Sequence, residues 1–412
     1  MPTGPVQLVI QRLGAQGDGI AEHEGQQVFV PFTLPGETVM AEIDGDRARL
    51  VEIVNAAPDR APPKCSHYGE CGGCALQHLS DDTCAAFKRD HLAMHLSYAG
   101  IKVEIAPTLI APPHSRRRAV FAAHRTGGQI AIGFHGRRSH RIVPVSDCAV
   151  IRPVLQTLLP GLREIAELAA PPRDALQLAA TETLTGVDLA INGASPKLPA
   201  DVRALLVEVA ARLNLARLSI NGKIAMERVP PVLRMGGIDV VPPPGGFLQA
   251  TEESEAAMVG IVLEALADAQ NAVDLFSGMG TFTLPLAAHA SVHAVEGEVA
   301  GLQALGRAIR KAPGIKPVTT EKRDLFRQPL TQIDLSRFEA AVIDPPRAGA
   351  EAQTRELALS GIRRIAMVSC NAQTFARDLK ILLDAGFRLD RLVPIDQFLW
   401  SPHVEIVASL KR

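Results

Sequence analysis

Along the first 55 residues, apolar and polar positions alternate with a period of two. Val6 to Ile10, Gln27-Val28-Phe29-Val30, Thr38 to Ile43 and Arg49 to Val54 read as strands. Gly14-Ala15-Gln16-Gly17-Asp18-Gly19 supplies turn residues able to take positive φ, and Asp44-Gly45-Asp46 reads as a hairpin turn. Four or five short strands in so short a stretch predict a small antiparallel barrel of the kind that binds oligonucleotides; a purely structural barrel fits the pattern equally well. Pro58 to Pro63, with three prolines, reads as a linker. Beyond it, Asp81 to Tyr98 is helical, and Ala119 to His124 with Gln129 to Phe134 alternate as a hairpin. Residues 150 to 245 say less. Ala200 to Leu213 is an amphipathic helix that Asp201 could cap, and Pro242-Pro243-Pro244-Gly245-Gly246 marks a boundary.

In the second half the period switches repeatedly between strand and helix. Helix Glu252 to Ala267 leads to strand Ala272 to Phe276, loop Ser277-Gly278-Met279-Gly280 and a helix from near Thr281. Strand Ser291 to Glu296, helix Glu298 to Lys311, and strands Val318 to Glu321 and Ala340 to Ile343 follow. A last apolar run, Ile365-Ala366-Met367-Val368, ends in Ser369-Cys370-Asn371, after which Gln373 to Ala385 is helical with Phe375, Leu379, Leu382 and Leu383 on one face. This is the order of a doubly wound α/β sheet, whose ligands lie at the carboxyl ends of its strands. Cys370 stands at such an end. A buried structural thiol is the plainer alternative.

Composition narrows the class. The 412 residues suggest two to four domains, and 47% hydrophobic with 21% charged residues describes a globular chain. No apolar run reaches the roughly 18 residues that span a bilayer, and Met1-Pro2-Thr3-Gly4 opens no signal peptide, so the expected compartment is the cytoplasm. A net charge of −1 gives no global attraction to nucleic acid, and only 4% of residues are aromatic. Any such site must rest on local clusters. Arg116-Arg117-Arg118 and Arg137, Arg138, His140 and Arg141 flank the predicted hairpin and suit phosphate contacts.

Three of the six cysteines, Cys65, Cys71 and Cys74, form a C-x5-C-x2-C run with Gly69, Gly72 and Gly73, which let the backbone turn around a metal. Cys148 is the natural fourth ligand and Cys84 the weaker candidate. An iron–sulfur cluster and a tetrahedral zinc both accept four thiolates. The spacing is not that of radical S-adenosylmethionine chemistry, so the site reads as structural or RNA-positioning.

The glycine loop after Phe276 can approach an anionic ligand, and Glu296, ending the next strand, can accept from two ribose hydroxyls. The third glycine of a pyrophosphate-binding loop is missing, since Thr283 stands there. The pattern favours S-adenosylmethionine over NAD. Asp324, past the third strand, could accept from the adenine amino group, and the two prolines of Asp344-Pro345-Pro346-Arg347 would hold Asp344 at the pocket mouth.

These motifs, with Phe247-Leu248-Gln249 and His403-Val404-Glu405, together resemble the RNA uridine-C5 methyltransferases. The likeness is closest to the iron–sulfur branch that makes 5-methyluridine in large-subunit ribosomal RNA. It runs nearly end to end. The implied architecture is a TRAM/OB-like barrel over 1–56, a central α+β iron–sulfur and RNA-binding domain over 57–78 and 112–245, and a Rossmann-like class I methyltransferase domain over 79–111 and 246–412. The resemblance implies a [4Fe–4S] cluster on Cys65, Cys71, Cys74 and Cys148, and an S-adenosylmethionine site lined by Gln249, Phe276, Thr281, Glu296, Asp324 and Asp344. It makes Cys370 the nucleophile and Glu405 the base. The chain departs from the family at Arg307-Ala308, where Asn-Ala is common, and at Thr281, where relatives carry Asn.

The chemistry accounts for the two catalytic residue types. Uracil C5 attacks a sulfonium methyl poorly until a thiolate has added to C6, and a free thiol is only about 3% ionised at neutral pH. The site must lower that pKa or take the proton during attack. A base must then remove the C5 proton. Val404-Glu405-Ile406-Val407 reads as a strand that sets an acid among apolar neighbours, where burial would raise its pKa. The target uridine must be unpaired or flipped. The expected partner is RNA, ribosomal first and transfer second, with a monomeric chain and no membrane. Two rivals remain. A cytosine-C5 enzyme would usually carry a second cysteine in the fourth-strand motif, which is absent; the other is a metal-containing RNA-binding module without activity.

Overall fold

The alternating strands of the first 55 residues build a six-stranded, mostly antiparallel sheet around Leu8, Ile10, Val28, Val30, Val39 and Ala41. The computed structural model describes residues 4–171 and 174–412. Two strands of this sheet, Arg12–Leu13 and Gly19–His23, flank the expected turn and had no counterpart in the alternation, and Gly17 takes positive φ between them. Gly45, also at positive φ, turns Thr38–Asp44 into Arg47–Asn55, as the Asp-Gly pair requires.

The central part carries a seven-stranded sheet. Its hairpin, Arg118–Thr126 with Gln129–His135, closes through Gly127 and Gly128, both at positive φ. Helices Leu159–Ala169 and Ala200–Arg212 cover one face with Leu162, Ile165, Leu206 and Val209. The second of these is entered from Pro199 with no side-chain cap. Asp201 already lies inside the first turn, so it cannot serve as the expected cap.

The carboxyl-terminal half forms an eight-stranded sheet. Its strands run in the order Val318–Lys322, Ser291–Glu296, Asn271–Leu275, Ala340–Ile343, Arg364–Ser369, Glu405–Lys411, Arg388–Asp396 and Leu109–Ile110. The first five are parallel, and the chain reverses direction of travel between Asn271–Leu275 and Ala340–Ile343, which creates a crevice at their carboxyl ends. Glu405–Lys411 is antiparallel to both its neighbours. Its first residue therefore arrives at the edge where the parallel strands finish. Helix Asp81–Tyr98, capped by Ser80, packs beside this sheet and buries Lys88 against Asp396. The helix expected from Thr281 is reduced to one turn, Thr283–Leu286, with Pro285 inside it.

Candidate active site

Strand register brings the two expected catalytic residues together. Ser369 pairs with Ile406 and Ile395 with Glu405, so Cys370, one residue past the paired end of its strand, lies opposite Glu405. Asp344 and Arg347 approach from the end of the adjacent parallel strand. Asn371 ties these pieces: its Oδ1 accepts from the N–H of Gln373 at 3.0 Å, capping helix Ala372–Asp384, while its Nδ2 donates to the carbonyl of Arg347 at 3.0 Å. Thr374 Oγ1 donates to the same carbonyl at 3.2 Å. The thiol's strand end and the Asp-Pro-Pro-Arg loop are thus one rigid unit.

The electrostatics are those of a dry, acidic pocket. Burial pushes Glu405 up to about 7, against a hydrogen bond from Gln397 and the charge of Arg347. Desolvation, then the charge of Glu405, pushes Asp344 up to about 8. The Cys370 thiol goes up to about 11, through desolvation first and then Glu405 and Asp344, with Arg347 opposing. The expected elevation of Glu405 is present. The site does not lower the Cys370 thiol pKa, so a thiol acting as nucleophile here would have to lose its proton as it attacks.

Along the crevice, Gly278 and Gly280 take positive φ, and a Cβ on Gly280 would lie 2.7 Å from Leu305. Gly301, on helix Val299–Lys311, is as tightly placed: its Cβ would meet the carbonyl of Gly278 at 2.9 Å. The Glu296 carboxylate accepts from the backbone N–H of Gly278 at 2.9 Å and of Glu298 at 2.8 Å, so it braces the loop as well as facing the crevice. Asp324 likewise accepts from the N–H of Phe326 at 3.0 Å. The ring of Phe326 lies 5.4 Å from that of Phe276, itself at a positive φ of 65°. Ser277 Oγ in the loop and Asp274 Oδ1 beneath it are buried without a partner. Thr281 is half-buried and Gln249 fully so. Orphaned polar atoms beside glycines that admit no side chain suit a polar nucleoside ligand.

In the central part Cys65, Cys71, Cys74 and Cys148 line one cavity of about 280 Å³ together with Arg116 and Arg118. Gly72, within the cysteine loop, packs against the central hairpin: a Cβ there would meet the carbonyl of His135 at 2.9 Å. Burial raises Cys65, Cys71 and Cys74, the last up to about 12, and the other three cysteines add to the elevation of Cys74 by their proximity. Cys84 is elsewhere, buried among Leu34, Leu76, Leu79 and Trp400. Among the described residues no three His, Cys, Asp or Glu side chains converge tightly enough to hold a metal ion.

Part of the basic cluster is paired inside the protein: Arg117 is buried against Glu255 at 2.6 Å, and Arg137 pairs with the buried Asp18 of the first sheet. Arg138, which also reaches Asp18, and Arg141, which reaches Glu70 at 3.3 Å, are exposed. Arg116 lies over the Phe398 ring at 5.7 Å, and His140 is exposed.

A sequence-family profile described as tRNA (Uracil-5-)-methyltransferase matches residues 307–412, and a TRAM domain profile matches 5–51. An RNA methyltransferase of Brucella suis biovar 1 is 46% identical, covering 98% of each chain. The 23S rRNA (uracil(1939)-C(5))-methyltransferase RlmD of Halomonas elongata is 34% identical over 99% of this chain and 90% of its own. The chain belongs to the RNA uracil-C5 methyltransferase family. The crystal structure of Pyrococcus abyssi tRNA (uracil-54, C5)-methyltransferase in complex with S-adenosyl-L-homocysteine shares the fold, with a TM-score of 0.77, 24% identity and coverage of 98% and 99%. Family membership makes this chain an S-adenosylmethionine-dependent enzyme with an N-terminal TRAM domain. No described helix is long and apolar enough to cross a membrane.

Within this methyltransferase, sequence reasoning missed Gln397, whose amide joins Gln249 to Glu405, and the buried Lys88–Asp396 pair on the neighbouring turn. The signal available was slight: a Gln beside an Asp at the end of an apolar strand.

Proposed function

We propose that the enzyme methylates C5 of an unpaired uridine, most closely in 23S ribosomal RNA, through a covalent bond between Cys370 and C6. The observation that carries this reading is the register that sets Cys370 opposite Glu405, with Asp344 and Arg347 closing the pocket. As the Cys370 sulfur bonds to C6, its proton passes to a facing carboxylate, Asp344 or Glu405, and on to solvent, and the electron pair of the C5=C6 double bond moves to C5, which takes the methyl group of S-adenosylmethionine and leaves S-adenosylhomocysteine. Bound S-adenosylmethionine supplies an electrophilic methyl group; Gln249, Phe276, Thr281, Glu296, Asp324 and Asp344 would hold it. Glu405 then takes the proton from methylated C5, the double bond re-forms and the thiolate leaves. A carboxyl with a pKa of about 7 suits that step, being ionised enough to accept a proton and basic enough to pull it.

The four thiols that line one cavity are a donor set suited to a thiolate-held metal centre, and the likeness to the iron–sulfur branch of the family favours a [4Fe–4S] cluster over zinc. Arg116 and Arg118 would offset its negative charge, and the cluster would hold the central sheet's hairpin against the loop of residues 65–74. Ribosomal RNA is favoured by the relative from Halomonas elongata, which matches nearly end to end; transfer RNA is the second reading. The test is to map 5-methyluridine by mass spectrometry in RNA from cells lacking the protein. Loss of one methyl from 23S RNA supports the reading, loss from transfer RNA selects the second, and no loss from either contradicts both.

A further inference from the structure

We infer that Gln397 is a positioning residue that fixes which atoms Glu405 and Gln249 present to the reaction; this rests on Glu405 being the base. The amide of Gln397 is fully buried and all of its hydrogen-bonding capacity toward the pocket is assigned. Its Oε1 accepts from the backbone N–H of Ala250 at 2.7 Å. A backbone N–H can only donate, so the amide cannot be turned over without leaving that donor buried and unpaired. Its Nε2 is therefore the end that faces the pocket, and it donates to Gln249 Oε1 at 2.7 Å and to Glu405 Oε1 at 3.0 Å.

Two consequences follow from an amide nitrogen that can only donate. Gln249 must turn its carbonyl toward Gln397, which leaves its own NH2 as the group offered to the pocket. Glu405 has Oε1 held as an acceptor, so the proton it receives goes to Oε2. One side chain thereby orients a residue of the cofactor pocket and the base together. It does so without titrating, so no proton is exchanged between them.

The support of Gln397 is itself rigid. It follows Asp396, whose carboxylate is paired with buried Lys88 and accepts from the N–H of Phe398 at 3.0 Å, and Lys88 also donates to the carbonyl of Phe398 at 3.1 Å. The other charged or titratable groups that face Glu405 are Asp344 and Cys370 from the two neighbouring strand ends and Arg347 from the loop after Asp344. Gln397 is the neutral donor among them.

The test uses full-length protein carrying whatever centre it is purified with, and compares wild type, Gln397→Met, Gln397→Glu and Glu405→Gln. Three quantities are read: release of tritium from RNA labelled at uridine C5 as a function of pH, persistence of the Cys370–RNA adduct on ordinary uridine, and the Kd for S-adenosylhomocysteine. Gln397→Met removes the donor, so the acid limb of the rate profile moves to higher pH by about one unit, adduct accumulates, and S-adenosylhomocysteine binds about tenfold more weakly. Gln397→Glu adds a second carboxyl and moves the acid limb further still. A pH profile and Kd unchanged from wild type in Gln397→Met, or an acid limb in Gln397→Glu lower than in Gln397→Met, overturns the inference. Glu405→Gln distinguishes the two levels: if it still turns over, the assignment of the base has failed; if it is dead while Gln397→Met behaves as wild type, only the role of Gln397 has. A variant that merely loosens the fold would lower the rate at every pH without moving the limb.

Discussion

The pocket around Cys370 and the cavity around Cys74 both hold thiols raised by burial, yet they are built in opposite ways. Around Cys370, Asn371, Thr374 and Gln397 lock every approaching element by hydrogen bonds internal to the chain. Around Cys74, four thiols line a cavity of about 280 Å³, and the Gly73 N–H reaches the Cys71 sulfur at 3.4 Å. The first site is organised before its ligands arrive; the second would owe its order to what fills it. Substitutions should therefore fail differently in the two places.

The largest expected effect is at the organised site. Cys370→Ser should lower turnover by about a thousandfold or more while leaving the thermal midpoint close to wild type, because it removes the nucleophile and almost no packing. Next, Cys148→Ala should do the reverse. It should abolish iron and sulfide incorporation under anaerobic reconstitution, measured by metal analysis and visible absorption, and should lower thermal stability by several kcal/mol where loading contributes to folding. A stable, iron-replete Cys148→Ala protein would dissolve the contrast.

Two smaller effects sharpen it. Gly301→Ala places a methyl against the Gly278 carbonyl and should weaken S-adenosylhomocysteine binding by roughly tenfold, read by calorimetry, with the cysteine site unaffected. Burial raises Asp274 to about 7, with a hydrogen bond from Thr283 Oγ1 at 2.5 Å opposing. Its folded pKa thus exceeds its unfolded one near 4, so the stability linked to its protonation is present below about pH 4 and is lost as pH rises through about 7. Asp274→Asn should accordingly gain about 1 kcal/mol or more over wild type at about pH 8, a gain that shrinks toward pH 4 in parallel denaturation curves.

Much of the methyltransferase sheet could be read from the chain because parallel strands buried on both faces leave unbroken apolar runs. Ala340–Ile343 and Arg364–Ser369 fall where those runs lie. The strands Leu176–Thr183 and Gly186–Asn192 went unread: Leu176, Leu178 and Ala180, then Val187, Leu189 and Ile191, do alternate into the core, but each set spans only five residues, with polar residues or alanine between them. Glu405 and Cys370 were legible as residue types at strand ends, but their adjacency depends on an antiparallel strand inserted after the parallel ones. Gln397 was barely legible: its partner Gln249 is 148 positions away, and an amide's orientation is set only by the folded neighbourhood. Which arginines are already paired was not legible for the same reason. Arg137 meets Asp18 across 119 positions, and no local pattern reveals that a cation is already paired.

The central claim is the transient bond between the Cys370 sulfur and the pyrimidine ring, and substrate RNA carrying 5-fluorouridine at the target tests it most directly. Fluorine at C5 leaves Glu405 no proton to remove, so the thiolate cannot depart. Incubation with S-adenosylmethionine should yield a denaturation-resistant protein–RNA adduct whose peptide mass places the methylated nucleotide on Cys370. A folded enzyme that binds S-adenosylhomocysteine and methylates ordinary RNA yet forms no adduct, or forms it on another residue, would contradict the account.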